Sequence, residues 1–229
     1  MGEHRSRLSE RLAGVRALLL DMDGTLVDSN DAVERAWMSW CAEYGIDPAT
    51  VLAIAHGVPA DQTVRRVRPD ASDEEVIDSA ARQLELQYDD LSDVVPAPGA
   101  VDLLAVLGEY GVPWAVVTSA DRRLAAARLE AATIAAPVVI TVEDVAVGKP
   151  DPAGYRLAAE RLGVPVERAL VVEDAAPGLE AGRRAGAVTA GLRGLAGDVS
   201  VADLAELAAL LAEAWRSEAT PVPIHPPAT

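Results

Sequence analysis

The sequence is poor in several residue types, and each shortage excludes a class of protein. Its 229 residues include one cysteine, Cys41, so neither an internal disulfide nor a zinc site of several thiolates can form. No apolar run approaches the length of about 20 residues that a membrane helix needs. The apolar run Ala17–Leu20 is also too short for a secretory signal. The cytoplasm is therefore the simplest expected location.

Basic residues are also scarce. The chain has 20 basic and 36 acidic side chains, which leaves a net charge of −16. It therefore offers no cationic surface to nucleic acid or to an anionic membrane, and we expect neither as a partner. We expect a monomer or a weak dimer. Phenylalanine is absent, and all basic residues but one are arginine, so Lys149 is the only lysine.

Short apolar runs alternate with helical patterns along much of the chain. This alternation predicts an α/β fold, a Rossmann-like doubly wound parallel sheet with helices on both faces. The predicted strands are Ala17–Leu20, Trp114–Val117, Val138–Thr141, Leu170–Val172 and Ala187–Ala190. Asp151 and Pro152 predict the start of one helix, and Pro177 and Gly186 predict the two ends of another.

Residues 29–95 differ from the rest, because they have helical periodicity and no convincing strand. We predict that they form an inserted all-helical cap domain, while residues 1–28 and 96–219 form the core. The proline-rich residues 220–229 are expected to be a disordered tail. Between Asp28 and Val95 there are 15 acidic and 5 basic side chains, so this segment holds −10 of the net charge. Such a cap cannot steer an anionic substrate from a distance.

Four short segments place chemically useful side chains after predicted strands or in a stiff loop. They are Asp21-Met22-Asp23-Gly24-Thr25, Thr118-Ser119, Gly148-Lys149-Pro150 and Glu173-Asp174. Each segment alone has an ordinary explanation, such as an Asp-Gly turn, a helix cap or a surface loop. In a doubly wound sheet, however, the carboxyl ends of the strands share one edge, where ligands bind. We therefore expect these side chains to converge.

The residue types suit phosphate chemistry. Asp21 and Asp23, two residues apart on extended chain, point the same way and could supply a nucleophile and an acid/base. The Thr118 hydroxyl and the free amides of the helix that follows suit a phosphate. Lys149 is held in place by the glycine and prolines around it, whereas most lysines move freely in solvent.

The charges of the predicted site call for a cation. The carboxylates of Asp21, Asp23, Glu173 and Asp174 together with Lys149 sum to −3, which cannot be desolvated without compensation. A divalent cation brings the sum to −1, and protonation of one aspartate brings it to zero. Because all the ligands would be oxygens, Mg²⁺ is predicted, with these four acidic residues as its metal site.

These residues, in this order, resemble the four motifs of the haloacid dehalogenase superfamily of phosphotransferases. The segment Asp21-x-Asp23-Gly24-Thr25-Leu26-Val27-Asp28-Ser29 resembles the first motif, Thr118 the second, Lys149 the third and Glu173-Asp174 the fourth. The resemblance covers nearly the whole chain, and the helical insertion matches the type with a small cap. Met22 departs from the pattern, since the family usually has an aromatic residue or leucine there.

Within the superfamily, stretches such as Ala55-His56-Gly57 and Gly148–Pro152 most resemble the sugar and polyol phosphatases. The resemblance implies an Mg²⁺-dependent phosphatase for a small sugar, polyol or cyclitol phosphate. Asp21 would be the nucleophile and Asp23 the acid/base. Phosphate would be held by Thr118, the Ser119 amide and Lys149. His56 and Gly57, in a cap loop, would contact the substrate.

Other functions are weighed against this one. A hexose-phosphate mutase of the β-phosphoglucomutase type shares the motifs and the cap, but Val33 and Ala60 stand where those mutases carry a histidine and an arginine. Arg65, Arg66 and Arg68 could replace that grip, although a solvated helix face is the preferred interpretation. A binding protein without turnover would not need both aspartates of the first motif. A dehalogenase would need neither an acid at position 23 nor a metal.

Overall fold

The computed structural model describes residues 11–55 and 58–219. Its strands are β1 Ala17–Leu20, β2 Val27–Asp28, β3 Val95–Pro96, β4 Trp114–Val117, β5 Val139–Ile140, β6 Ala169–Glu173, β7 Val188–Leu192 and β8 Val199–Val201. Six of them form one parallel sheet in the order β5-β4-β1-β6-β7-β8, and β2 pairs with β3 in a separate antiparallel ribbon. The predicted α/β Rossmann-like fold is confirmed.

Helices alternate with the strands along the chain. They are α1 Asn30–Tyr44, α2 Pro48–Ala55, α3 Ala60–Val67, α4 Asp73–Leu86, α5 Ala100–Tyr110, α6 Arg122–Ala131, α7 Ala153–Leu162, α8 Ala176–Ala185 and α9 Leu204–Ala219. None of these described helices is both long enough and apolar enough to cross a membrane. The proposed tail at 220–229 lies outside the described residues.

The sheet is apolar on both faces. Along β1, Leu18 and Leu20 belong to one buried apolar cluster, while Ala17 and Leu19 belong to another. Side chains alternate between the faces of a strand, so this division places one core on each side of the sheet. Burial on both faces explains why the strands read as continuous apolar runs.

The helices α1 to α4 build a third apolar cluster of their own. At its centre is Trp40, which is fully buried, packs edge-on against Trp37 and stacks on Tyr44. The Trp40 indole N–H donates to the Ser79 carbonyl at 3.0 Å, so its polar atom is satisfied. These helices therefore have their own core. The cap boundaries at 29 and 95 remain a prediction.

The ribbon of β2 and β3 joins the chain entering these helices to the chain leaving them, with Val27 opposite Pro96 and Asp28 opposite Val95. We predicted no strand here, because two residues are too few to give a periodic signal. β8 was missed for a similar reason. β5 is also shorter than its predicted span, because Thr141 turns to donate from its backbone N–H to Asp144 at 3.0 Å.

The predicted helix ends are close to the observed ones. Gly186 ends α8 in the left-handed conformation, with φ of 92°. Asp151 accepts a hydrogen bond from the Ala153 N–H at 2.9 Å, and α7 begins at Ala153, one residue after the proline that was expected to open it.

Candidate active site

The site lies at the carboxyl edge of the sheet, where β1, β4 and β6 end side by side. Asp21 follows β1 directly and donates its backbone N–H to the Val172 carbonyl of β6 at 3.0 Å. Thr118 follows β4, and Glu173 is the last residue of β6. All three are buried, so the central strands carry polar side chains into the interior. The expected convergence of these segments is therefore present.

Lys149 connects the ends of β1, β4 and β6 through three hydrogen bonds. Its ammonium donates to Asp21 Oδ1 at 2.5 Å, to Glu173 Oε1 at 2.6 Å and to the Val117 carbonyl at 2.9 Å. The lysine side chain is only 12% exposed. An ammonium has three N–H donors, so these contacts use its full capacity. The only lysine of the chain is thus fixed beside the candidate nucleophile.

The charges of this cluster depend on one another. Burial alone would lower the pKa of Lys149, but the carboxylates of Asp21 and Glu173 outweigh burial and hold that pKa above its ordinary value. Lys149 is therefore a cation at neutral pH. Burial and the neighbouring Glu173 carboxylate raise the pKa of Asp21, while Lys149 opposes that rise. One ammonium serves two carboxylates, which leaves the cluster short of positive charge.

Glu173 is held more tightly than the sequence suggests. It is 1% exposed, and its Oε1 also accepts a hydrogen bond from the Tyr155 hydroxyl at 2.6 Å. Burial, and then the Glu173 carboxylate, raise the pKa of Tyr155 well above its usual value, so the phenol stays a donor. Gly178 makes room for this carboxylate, because a Cβ there would lie 1.7 Å from Glu173 Oε1.

Asp174 completes an acidic group that could hold a cation. One carboxylate oxygen each from Asp21, Glu173 and Asp174 lie within 4.8 Å of one another. Burial and Glu173 raise the pKa of Asp174. Gly24, with φ of 78°, passes so close that a Cβ would lie 2.2 Å from Asp174 Oδ2. The glycine is therefore required both by its backbone conformation and by the space that Asp174 occupies.

Asp23 lies at the rim, with its side chain 30% exposed. Its Oδ1 accepts from the Ser29 hydroxyl at 2.7 Å and contacts the Arg128 guanidinium, also at 2.7 Å. Arg128 comes from α6 and was absent from the sequence-based charge count, which was incomplete. Arg193 was also left out, and it lies 3.8 Å from Asp174. The sum of −3 therefore overstated the negative charge.

The predicted phosphate-binding residues follow β4 and precede α6. The Thr118 hydroxyl accepts a hydrogen bond from the Ala120 N–H at 3.0 Å, and Ser119 is exposed. Asp121 caps α6 by accepting from the Leu124 N–H at 2.7 Å. The capping explanation thus holds for Asp121, while Thr118 and Ser119 remain candidates for contact with phosphate.

The cap residues singled out in the sequence have different outcomes. His56 and Gly57 lie outside the described residues, so their substrate contact stays a prediction. Arg65 is exposed and pairs with Asp73 at 2.7 Å. Arg68 donates to the Ser79 hydroxyl at 2.6 Å and lies over the Tyr44 ring. Arg65 and Arg68 are therefore bound within the cap helices.

Sequence reasoning missed Arg128, Tyr155 and Gly178. A signal for Arg128 was available, because it lies four residues after Leu124 on the apolar side of α6. Gly178 in the first turn of a helix was a second signal, since glycine is a poor helix former. Tyr155 had none, because an aromatic residue in a helix most often packs in the core.

Comparison with known proteins points to one family. The family of haloacid dehalogenase-like hydrolases matches residues 15–186. Hexitol phosphatase A of Escherichia coli is 40% identical over 172 residues, which are 75% of this chain and 80% of that protein. The 2-deoxyglucose-6-phosphate phosphatase 1 of Saccharomyces cerevisiae is 34% identical, over 76% of this chain and 78% of its own.

Solved structures share the fold. CbbY from Rhodobacter sphaeroides, solved with phosphate, superposes with a TM-score of 0.72 at 26% identity, covering 84% of this chain and 96% of its own. A β-phosphoglucomutase from Clostridium difficile has a TM-score of 0.73 over 89% of this chain and 98% of its own, but at 18% identity it shows the fold alone. The chain belongs to the haloacid dehalogenase-like hydrolases and, among them, is similar to phosphatases of sugars and polyols.

Proposed function

We propose that the protein is an Mg²⁺-dependent phosphomonoesterase that hydrolyses a small sugar, polyol or cyclitol phosphate through an aspartyl phosphate. The observation that carries the proposal is the position of Asp21 at the end of the central strand, bonded to Lys149 and close to Glu173 and Asp174. A carboxylate held beside a fixed cation and an acidic group is suited to attack a phosphorus atom.

In the first step, a carboxylate oxygen of Asp21 forms a bond to phosphorus as the bond between phosphorus and the substrate alkoxide breaks. Asp23 donates a proton to the leaving oxygen, so that an alcohol leaves. In the second step, water attacks the aspartyl phosphate and Asp23 takes a proton from that water. Inorganic phosphate is released and Asp21 is regenerated.

The groups around Asp21 would hold the transferred phosphoryl group. Lys149 carries positive charge at the nucleophile, and the Thr118 hydroxyl and the Ser119 amide follow the adjacent strand. The hydroxyl and the amide would donate to the oxygens on which charge is redistributed during transfer, and Lys149 would bind these oxygens through its charge, exchanging one of its three present acceptors for phosphate. This role for Thr118, Ser119 and Lys149 follows from their location and from the family resemblance.

The residues present fit a divalent cation. The donors are all oxygens, and Gly24 lets the Asp174 carboxylate occupy its place in this group, because a Cβ there would collide with it. Mg²⁺ would be held by the Asp21 carboxylate, the Asp23 carbonyl and Asp174, with help from Glu173. When bound, it would offset the repulsion between the anionic nucleophile and the anionic substrate.

The substrate class rests on the relatives and on the cap. Hexitol phosphatase A and 2-deoxyglucose-6-phosphate phosphatase 1 are named for small phosphorylated sugars and polyols. A cap of about 65 residues that closes over the site would admit leaving groups of that size and exclude phosphoproteins. His56 and Gly57 are our candidates for contact with the leaving alcohol.

The mutase alternative is less well supported. Val33 and Ala60 pack against the apolar cluster of the cap helices, so neither offers a charged group to a second phosphate. Arg65 and Arg68 are engaged within the cap, and Arg66 is exposed, as expected for the solvated helix face that was the preferred interpretation. Without side chains that bind a second phosphate group, the protein would transfer the phosphoryl group of the aspartyl phosphate to water instead of to a bound sugar.

A substrate panel tests the proposal. Sugar, polyol and cyclitol phosphates are incubated with the protein and Mg²⁺, and released phosphate is measured with and without chelator. We expect release from at least one member, its loss in chelator, and its loss in Asp21→Asn. Isomerisation of a hexose phosphate that requires a bisphosphate primer would favour the mutase, and turnover in excess chelator would contradict the metal requirement.

A further inference from the structure

Arg128 is a buried guanidinium that touches both the candidate acid/base and the cap side of the molecule. Its side chain is 3% exposed. One terminal nitrogen lies 2.7 Å from Asp23 Oδ1, and the other donates to Gln87 Oε1 at 2.6 Å. Gln87 directly follows α4, the last helix of the cap segment, and donates in turn to Gln83 at 2.7 Å.

The placement of this arginine is costly. It shares the inner face of α6 with the buried residues Leu124, Ala125 and Leu129. Its Nε has no hydrogen-bond partner among residues 11–55 and 58–219. A buried, incompletely satisfied cation contributes little to stability in comparison with an apolar residue of similar size. The contact with Asp23 therefore points to a role at the site.

The geometry at Asp23 is that of a carboxyl group fixed through one oxygen. The Ser29 hydroxyl and the Arg128 guanidinium both contact Oδ1. The Asp23 side chain is nevertheless 30% exposed, so it is open to solvent as well as in contact with its two partners. Two partners on the same oxygen restrict the rotation of the group, which sets where the other oxygen points.

Gln87 is itself held against the core. Its neighbour Tyr88 donates to the Asp121 carboxylate, with distances of 2.9 and 2.8 Å to the two oxygens. The Arg123 guanidinium lies 4.1 Å from the centre of the Tyr88 ring. The chain that leaves α4 is thus docked on α6 at two adjacent residues, and Arg128 connects this docked segment to Asp23.

We propose that Arg128 is a positioning residue for Asp23, supported from the cap side by Gln87. Through Oδ1 it holds the carboxyl group in the orientation needed to deliver a proton to the leaving alkoxide and to accept one from water. This inference rests on the proposed phosphatase function. A misplacement of about 1 Å in such a group can cost about 100-fold in rate.

The test compares leaving groups in Arg128→Met, which keeps an unbranched apolar stem and removes the guanidinium with its charge and donors. The first turnover is measured by rapid mixing with two substrates: the best alkyl phosphate of the panel, and p-nitrophenyl phosphate, whose phenolate leaves without an acid. We expect the alkyl rate to fall about 100-fold and the aryl rate to change by less than about threefold. Steady-state aryl turnover should slow, because the attack of water also uses Asp23, so p-nitrophenolate should appear in a burst.

Controls separate positioning from structure. Arg128→Lys can keep one contact, so its alkyl rate should be about tenfold higher than that of Arg128→Met. Arg161→Met removes a 43% exposed arginine that pairs with Asp144, and both of its rates should match the unaltered protein. Equal losses on the two substrates in Arg128→Met, or no loss on either, would overturn the proposal.

Gln87→Met gives a second answer if Arg128→Met does not fold. It should slow the alkyl reaction selectively, by about tenfold, and uniform effects on both substrates would sink the idea. Asp23→Asn serves as the reference because it removes the acid itself. Its alkyl rate should fall at least as far as that of Arg128→Met, while its first aryl turnover should change little. If Asp23→Asn shows no selectivity, or Asp21→Asn stays active, the proposed function has failed. A normal reference together with an unselective Arg128→Met rejects the positioning role alone.

Discussion

The site depends on a few residues whose neighbours determine their chemistry. Lys149 is a cation because two carboxylates outweigh its burial, and Glu173 is buried because Lys149 and Tyr155 both donate to it. A buried ion pair of this kind loses much of its value when one partner is changed, since the other is left without compensation. The chemistry of the site therefore requires each charged side chain to keep the hydrogen-bond and ion-pair partners that it has in the fold.

Lys149→Arg should fail even though it keeps the charge. The ammonium contacts three oxygens that lie at 2.5, 2.6 and 2.9 Å from one nitrogen, whereas a guanidinium is planar and larger. We expect kcat on the alkyl phosphate to fall about 100-fold or more. Arg184→Lys, at an exposed arginine paired with Glu180, is the control and should leave kcat unchanged. Retention of most activity by Lys149→Arg would contradict the three-acceptor account.

At the scale of elements, Asp21, Thr118 and Glu173 are placed by the ends of strands, whereas Lys149 lies in a loop and Arg128 lies within α6. β1, β4 and β6 end at one edge, and α8 begins beside that edge with Gly178 in its first turn. Gly178 lies where a side chain would collide with Glu173. The helix α8 thus contributes to the site by having no side chain at Gly178, where one would displace Glu173.

Gly178→Ala should displace the Glu173 carboxylate, because the added Cβ would lie 1.7 Å from Oε1. We expect a lower melting temperature and a loss of kcat, since the Lys149 contact moves with Glu173. Gly108→Ala is the matched control. Gly108 lies within α5 with nothing within 4 Å of an added Cβ, and alanine favours helix, so stability should be unchanged or rise by up to about 1 kcal/mol. Equal behaviour of the two variants would refute the packing argument.

The turn after β5 gives a prediction about pH. The Thr141 N–H, and then Arg161, lower the pKa of Asp144 to about 2. Because the folded pKa lies below the unfolded one, the contact stabilises the protein above about pH 4 and is lost as pH falls toward 2. Asp144→Asn should reduce the free energy of unfolding by about 1 kcal/mol at pH 7. The free energies of unfolding of the two proteins, measured in urea, should differ less at about pH 3 than at pH 7. An unchanged difference would show that the contacts of the Asp144 carboxylate are not its cause.

Across the whole molecule, most of the net negative charge lies in one segment. The segment from Asp28 to Val95 carries −10 of the total of −16, while the cations Lys149, Arg128 and Arg193 lie at the sheet edge. An anionic substrate is therefore repelled at a distance, and these cations together with a bound Mg²⁺ would attract it only close to the site.

Salt should consequently accelerate the encounter with substrate. We expect kcat/KM for an alkyl phosphate to rise by about twofold when ionic strength increases from about 0.01 to 0.1 M, because screening weakens the long-range repulsion. The measurement is made at saturating Mg²⁺, with a neutral salt that does not bind phosphate sites. A steep fall of kcat/KM with salt would show that attraction dominates the approach.

Much of the fold could be predicted from the sequence, because strands buried on both faces leave continuous apolar runs. The convergence of Asp21 and Glu173 followed from the rule that strand ends share an edge, and the stiff loop around the only lysine indicated that Lys149 would join them. The partnership of Arg128 with Asp23 could not be predicted, because it depends on the packing of α6 over the loop after β1. The sequence does not show which of the 19 arginines contacts Asp23.

The central claim is tested most directly by trapping the covalent intermediate. The protein is mixed with Mg²⁺ and an alkyl phosphate labelled at phosphorus, quenched in acid within one turnover, and digested to locate the label. We predict that the label lies on the peptide containing Asp21, is released by alkali as expected for an acyl phosphate, and is absent from Asp21→Asn. Turnover by the unaltered protein with no label on Asp21, or phosphate release by Asp21→Asn at an undiminished rate, would contradict the account.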